Sequence, residues 1–270
     1  MAECIHGLEA ELCDQCFPKA VPVLEIVTAA GQRSARAKAA VTRRAASAAS
    51  KTVESVGDQR IYHLTHVRNL VDILASGALL ADASEAWATR PAVDISSPAT
   101  RESRRATAVA GLGSPNVAEF IPFFLVPNAT IWEDIRSETP DHRLSSDARE
   151  TAPADFVLLV STFKHLADHT EGVDGSIVVT DGDAAHVLTR FAASTEASER
   201  MLRKLRATDS TETIVEAELL VKESFPFELV TLVGVANDRV RDEVRAILKG
   251  SDYSPKVSVY PPWFQRPEAS

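Results

Sequence analysis

The chain has 270 residues, 45% of them hydrophobic and 25% charged, with a mean hydropathy of −0.06 and a formal net charge of −9. That composition is ordinary for a globular protein and excludes collagenous and low-complexity classes, and no apolar run approaches the roughly 18 residues needed to span a bilayer. The acidic balance argues against a generic polyanion binder. The N-terminus lacks the basic-then-apolar order of a secretory signal, so cytoplasmic residence without a membrane partner is expected.

In chain order, the first feature is the segment MAECIHGLEAELCDQC, which holds every cysteine of the chain. Cys4, His6, Cys13 and Cys16 form C-x-H-x6-C-x2-C, and the Cys13-x-x-Cys16 spacing lets two thiolates take adjacent corners of a tetrahedron. A small zinc-binding module over residues 1–20 is expected. Its metal would be structural, because four protein ligands leave no open coordination position. A segment this short has no hydrophobic core, so the metal would be what orders it.

Residues 21–57 are rich in Ala and Ser and carry Arg33, Arg36, Lys38, Arg43, Arg44 and Lys51. They read as a linker or solvated helix, or as a basic arm that tracks phosphates. The main domain is expected over 58–270. "EFIPFFLVP" (119–127), "DFVLLVS" (155–161) and "GSIVVTD" (175–181) are short apolar runs bounded by Gly, Pro or acidic residues, the pattern of buried strands. Helices are expected over 70–76, 197–207 and 235–250, the first stopping at Gly77 and the last at Gly250. "ETIVEAELLVKESFP" (212–226) alternates, and reads as a strand that turns Glu216 and Glu218 to one face. Helix and strand alternate without the regularity of a doubly wound sheet, so the fold class is α+β.

No G-x-G-x-x-G, Walker, H-E-x-x-H or G-x-S-x-G pattern is present. What remains is "IYHLTHVRNLVDILASGALL" (61–80), where two of only 7 histidines stand three apart. This stretch resembles the opening motif of the DarT family of DNA ADP-ribosyltransferase toxins, through Tyr62, His63, Thr65, His66, Asn69, Leu70, Ile73, Leu74, Gly77 and Leu80. Four further blocks follow in the family's order: "SRRATAV" (103–109), "VAEFIPFFLVPNATIW" (117–132), "IVVTDGDAA" (177–185) and "EAELLVKESFPFELV" (216–230). Departures are Asn128 for the family's arginine, Thr130 for its serine, and two phenylalanines where the family has tyrosines.

The resemblance implies a split β-sheet core of the ADP-ribosyltransferase type with peripheral helices, and NAD as co-substrate. His63, Thr65 and Asn69 would then bind NAD. His66 reads either as part of that motif or as a hydrogen-bonded residue at the helix entry. Glu218 would be the catalytic carboxylate, and its removal is expected to abolish transfer while leaving the fold nearly intact. Glu216 would help position the acceptor or be a bystander. Arg104 or Arg105 would supply the active-site guanidinium, with Arg101 as a third candidate. The implied acceptor is a base in single-stranded DNA, thymidine first. Arg68, the basic arm, Trp87 and Trp132 are candidate contacts for the strand, although each Trp also reads as a packing residue. A toxin of this kind implies a neutralising macrodomain antitoxin. Two alternatives are a same-fold transferase acting on RNA or protein, and a non-enzymatic zinc-containing nucleic-acid-binding module.

Overall fold

The computed structural model describes residues 55–170, 173, 175–207 and 211–266. The expected zinc ligands Cys4, His6, Cys13 and Cys16 and the basic residues 33–51 lie outside the described residues.

The described residues form ten strands and eight α-helices, in order: β1 Arg60–His66, α1 Leu70–Ser76, β2 Ala78–Leu80, α2 Pro98–Ala106, β3 Phe120–Phe124, α3 Thr130–Ser137 and α4 Ser146–Glu150, then β4 Phe156–Thr162, α5 Phe163–His169, β5 Ile177–Thr180 and β6 Phe191–Ala192. The remainder is α6 Thr195–Ala207, α7 Thr211–Glu216, β7 Glu218–Lys222, β8 Ser224–Pro226, β9 Leu232–Val235, α8 Asp238–Leu248 and β10 Lys256–Val259. Eight strands form one sheet in the order β10-β9-β4-β1-β3-β7-β5-β6, and β2 pairs with β8 apart from it. Among the described residues, only β9 and β10, linked through α8, run parallel.

The α+β expectation holds, and β3, β4 and β5 lie inside the ranges read from the apolar runs or within one residue of them, whereas β9 falls outside every range read as a strand. The alternation of β4 shows why it is apolar from Phe156 to Val160. Val157 and Leu159 enter one core with Ile61, Phe123, Leu219 and Val233, while Phe156, Leu158 and Val160 enter another with Tyr62, Trp132 and Ile135. A strand covered on both faces has no polar positions to spare. α1 ends where expected, with Gly77 at φ 74°, a left-handed cap that costs glycine little.

One expected strand is corrected. Residues 211–216 are helical in α7 and the strand begins only at Glu218, so Glu216 and Glu218 do not share a strand face. The run Thr213-Ile214-Val215-Glu216 satisfies an alternating pattern and a single helical turn equally well, and six residues are too few for periodicity to separate them. Trp132 is also settled as a packing residue: it has no exposed surface, and its Nε1–H donates to the Trp263 carbonyl at 2.7 Å.

The sheet opens between β1 and β3. β1 pairs with β4 at seven positions and β3 with β7 at five, whereas β1 and β3 meet only at Tyr62 opposite Phe124. Pro122 helps to explain the gap. A strand residue points its N–H and C=O to the same side, and the Pro122 carbonyl faces β1, where it accepts from the His63 ring at 2.9 Å. Proline has no N–H to add on that side, so no ladder can close there.

Candidate active site

The gap between β1 and β3 widens into a cleft walled by His63 and Thr65 from β1, Pro122 and Phe124 from β3, Arg101 and Arg104 from α2, and Glu218 from β7. The loop between β2 and α2 closes one side with Trp87, Pro91 and Val93.

His63 is half-buried, and its Nδ1 carries the hydrogen because its partner, the Pro122 carbonyl, can only accept. Nε2 is therefore left as a hydrogen-bond acceptor at the cleft wall. Burial pulls the His63 pKa down and the Pro122 bond only partly offsets this, so the neutral ring is favoured. The Thr65 hydroxyl accepts from Asn69 Nδ2 at 3.2 Å, which frees its own hydrogen for another partner. Asn69 also donates to the Val93 carbonyl at 2.8 Å and accepts from the Val93 N–H at 3.1 Å. Both hydrogens of its amide are thus spent inside the protein, tying the β2–α2 loop to β1.

His66 is the helix-entry residue of the two readings, since its Nδ1 accepts from the Arg68 N–H at 3.1 Å, and it does not line the cleft. Arg68 is exposed and does not line the cleft either.

Glu218 is 6% exposed and is gripped from two sides. Arg104 donates from both terminal nitrogens, at 3.2 Å to Oε1 and 3.0 Å to Oε2, and the Ala184 N–H adds a bond to Oε1 at 3.2 Å. The backbone of Glu218 is fixed as well, its N–H donating to Thr180 Oγ1 at 2.9 Å, whose hydroxyl reaches the Gly182 carbonyl at 2.7 Å. "IVVTDGDAA" therefore has a local reason: Thr180 anchors Glu218, and the turn after it delivers the Ala184 amide. Burial works against the Arg104 charge, but the neighbouring Glu218 charge and its hydrogen bonds outweigh this and hold the guanidinium pKa above its ordinary value.

The arginine ambiguity resolves geometrically. Arg105 points away from Glu218 to Asp82 at 2.5 Å, and Arg101 pairs with Asp94 and lies 3.5 Å from Asp82. Arg90 also reaches Asp82, at 3.4 Å, and lies over the Trp87 ring at 5.3 Å, so one face of that indole is already covered. Trp87 nevertheless lines the cleft, with its Nε1–H held by the Ala81 carbonyl at 2.7 Å.

Sequence reasoning missed Arg143. It sits in a loop, "DHRLSS", with no motif around it. Its guanidinium meets Asp141 at 2.6 Å, Asp183 at 3.3 Å, and Asp134 and Glu216 at 3.4 Å each. Only the excess of nearby acid hinted at it, and those acids are scattered along the chain. No cluster of His, Cys, Asp and Glu suited to a metal ion occurs among the described residues, and no helix among them is long and apolar enough to cross a membrane.

A cleft that splits a central sheet and gathers a carboxylate, an arginine holding it and a histidine favoured in its neutral form offers electrostatic stabilisation to a ligand on which positive charge develops. The family described as "ssDNA thymidine ADP-ribosyltransferase, DarT" matches residues 62–265. A "DNA ADP-ribosyl transferase" of Thermus aquaticus is 24% identical over 227 residues, covering 76% of this chain and 89% of the relative. The fold is similar to "Thermus sp. 2.9 DarT in complex with ADP-ribosylated ssDNA", with a TM-score of 0.63, 24% identity, and coverage of 77% of this chain and 96% of that one. It is also similar to the NAD+ complex of the same Thermus protein, with a TM-score of 0.58, 25% identity, and coverage of 77% and 98%. The chain belongs to the DarT family. It is an NAD-dependent ADP-ribosyltransferase that acts on single-stranded DNA.

Proposed function

We propose that the chain transfers ADP-ribose from NAD+ to thymidine bases of single-stranded DNA, with Glu218 as the catalytic carboxylate and Arg104 as the arginine that aims it. The observation that carries this assignment is the bidentate Arg104–Glu218 pair at the cleft base. A carboxylate accepts about four hydrogen bonds, and Glu218 spends three of them on Arg104 and Ala184. The remaining lone pair on Oε2 is available to a ribose.

The C1′–nicotinamide bond breaks with its electron pair moving to the ring nitrogen, so nicotinamide leaves neutral and positive charge builds on the ribose. A negative group at that position contributes on the order of 3–4 kcal/mol to the transition state. The attacking base nitrogen forms the new bond to C1′ and gives up its proton to a carboxylate, a role assigned to Glu218. A base nitrogen on a pairing edge is accessible only when unpaired, which fits a single strand.

His63 Nε2 accepts a hydroxyl or amide hydrogen of NAD+, and the Thr65 hydroxyl donates. Asn69 acts through Thr65 and Val93 as a positioning residue, a smaller role than direct binding. Trp87 offers a flat apolar wall to one ring of the dinucleotide or to a base.

Two features beyond the core belong to the same proposal. Cys4, His6, Cys13 and Cys16 bind one structural zinc ion. A macrodomain antitoxin neutralises the activity, as an enzyme that modifies its host's DNA requires, in the setting of a toxin–antitoxin or phage-defence system.

The test is incubation with NAD+ and a panel of single-stranded DNA and RNA oligonucleotides, read by mass spectrometry. A mass gain of one ADP-ribose on thymidine-containing DNA alone is the expected result. Gain on RNA or on protein, or on DNA lacking thymidine, overturns the acceptor assignment.

A further inference from the structure

Arg143 stands between the cleft and a second groove, which runs from the Ala99–Ser103 side of α2 to the turn 181–190. It lines both, together with Thr100, Asp183 and Glu216. Its partners are spread over four segments: Asp134 on α3, Asp141 in its own loop, Asp183 after β5, and Glu216 at the end of α7. Two of these flank the catalytic carboxylate. Asp183 directly precedes Ala184, whose amide binds Glu218 Oε1, and Glu216 lies two residues before Glu218 in the chain.

The backbone of Arg143 makes the complementary connection. Its carbonyl accepts from the Ser97 N–H at 2.8 Å and from Thr100 Oγ1 at 3.2 Å. Ser97 is the N-cap of α2, the helix that presents Arg104. One residue is therefore bonded to the start of the helix that carries Arg104, to the segment that leads into Glu218 and to the turn whose Ala184 amide holds it. We infer that Arg143 is a positioning residue for the reaction, setting the placement of Arg104 and Glu218 relative to each other and to the ribose. This rests on the Proposed function, and Arg143 itself need not touch substrate.

The physical argument is one of geometry. A guanidinium is planar, carries five donors in a fixed fork, and keeps its charge at all working pH values, so it can bridge several carboxylates at set angles. Burial works against the Arg143 charge, but hydrogen bonds to Asp141 and the charges of Asp141, Glu216 and Asp183 raise its pKa well above the ordinary arginine value. Without it, four carboxylates would face one another with no cation between them, and Asp183 and Glu216 would move apart. A lysine supplies the charge from a single point and cannot hold the same spread.

The test compares Arg143→Lys and Arg143→Met with the unmutated full chain, in steady-state assays of nicotinamide release with NAD+ and single-stranded DNA. The expected result for Arg143→Met is a kcat about a hundredfold lower, the scale of an ångström-sized misplacement, with KM for NAD+ changed less than about threefold, as fits a residue that leaves ground-state binding alone. Arg143→Lys should fall between, and millimolar guanidinium added to Arg143→Met should recover part of kcat. Amide exchange over 181–186, which needs no activity, should quicken in Arg143→Met while β4 stays protected. Full kcat in Arg143→Met, or a rise in KM for NAD+ at unchanged kcat, would overturn the inference. So would unchanged exchange over 181–186. A silent unmutated enzyme would instead overturn the Proposed function, and the inference with it, while active enzyme with active variants overturns the inference alone.

Discussion

Arg104 and Glu218 grip each other through two parallel hydrogen bonds of 3.2 and 3.0 Å, although 114 residues separate them in the chain. The pair is nearly out of water, with side-chain exposures of 14% and 8%. This changes what removal of either partner should do. Read from the sequence, Glu218 faced a polar cleft and its deletion was expected to spare the fold. In the structure its deletion strands a guanidinium in a buried setting, and an orphaned buried charge typically costs a few kcal/mol.

Glu218→Gln is expected to lower kcat by about 10²- to 10³-fold, since a neutral amide no longer opposes the charge developing at the ribose. It should also lower Tm, as should Arg104→Met. The double variant Glu218→Gln/Arg104→Met should be more stable than the sum of the single losses predicts, because neither charge is then left alone. Arg105→Ala, whose partner Asp82 lies at the cleft rim, should alter kcat far less than Arg104→Met. Thermal melts and nicotinamide-release assays on the five proteins decide this. Strict additivity of the melts would mean that the pair contributes no coupling.

In the proposed NAD+ site, His63 should set a pH window for binding. Burial places its folded pKa below the ordinary 6.5. Nε2 therefore remains an acceptor down to pH 6.5 and is lost only as the ring protonates at lower pH. KM for NAD+ should be flat from pH 8 to 6.5 and rise below that, while His63→Gln should remove the rise. The stability sign is the same. The unfolded chain takes up the proton first as pH falls, so this group's contribution is lost on acidification through and below 6.5. His63→Ala should raise KM for NAD+ about fivefold to tenfold, the worth of a single net hydrogen bond. A KM that is constant down to pH 5 would show that Nε2 makes no contact with NAD+.

Much of the fold was legible because β4 and β5 are buried and carry the apolar runs Phe156–Val160 and Ile177–Val179, whereas β9 was not read from the sequence. The helices expected over 197–207 and 235–250 were readable from amphipathic spacing and run in the structure over Thr195–Ala207 and Asp238–Leu248, the second with an Asn237 N-cap that the sequence reading did not name. Glu218 and His63 were legible through motif resemblance, yet their partners were not. Which of three arginines meets Glu218 depends on the rotation of α2 about its axis. Arg104 and Arg105 are about 100° apart on that helix, and nothing in "SRRATAV" states which side faces β7. Arg143 was invisible for a similar reason. Its four carboxylates come from positions 134, 141, 183 and 216, brought together only by tertiary structure. Glu216 was misplaced because a one-turn helix and the start of a strand look alike over six residues.

The N-terminal Cys/His set gives a prediction independent of the cleft. Purified full-length protein should carry about one zinc ion, as the tetrahedral four-ligand set requires. Cys13→Ser should lose it. A closed four-ligand site performs no chemistry, so a chain of residues 58–270 should still modify short oligonucleotides. Metal analysis finding well under one equivalent in full-length protein would remove the zinc from the proposal and leave the cleft chemistry untouched.

Asp134 offers the last prediction, and its sign runs against the usual expectation for a carboxylate near an arginine. Burial raises its pKa first, and the hydrogen bond to Asp141 and the Asp141 charge raise it further, to about 6, although Arg143 at 3.4 Å pulls the other way. Asp141 takes the opposite course. Burial would raise it, but the side-chain and backbone bonds from Arg143 outweigh that and bring it to about 2. Two carboxyls that share a site divide in this way, one keeping the proton and the other the charge. A group raised from 3.8 to about 6 is protonated in the folded chain while still ionised in the unfolded one. Its contribution to stability is therefore full below 3.8, falls as pH rises from there, and is gone once pH passes about 6. At pH 7.5 the ionised Asp134 is a liability. Asp134→Asn keeps a hydrogen-bond donor for Asp141 and removes that charge, so it should raise Tm at pH 7.5 by roughly 2–4 °C, about what 1 kcal/mol gives in a domain of this size. The difference should shrink as pH falls from about 6 and vanish only near 3.8, where Asp134 is protonated in the folded and unfolded chains alike. A lower Tm for Asp134→Asn at pH 7.5 would mean that attraction to Arg143 outweighs the crowding of acids around it.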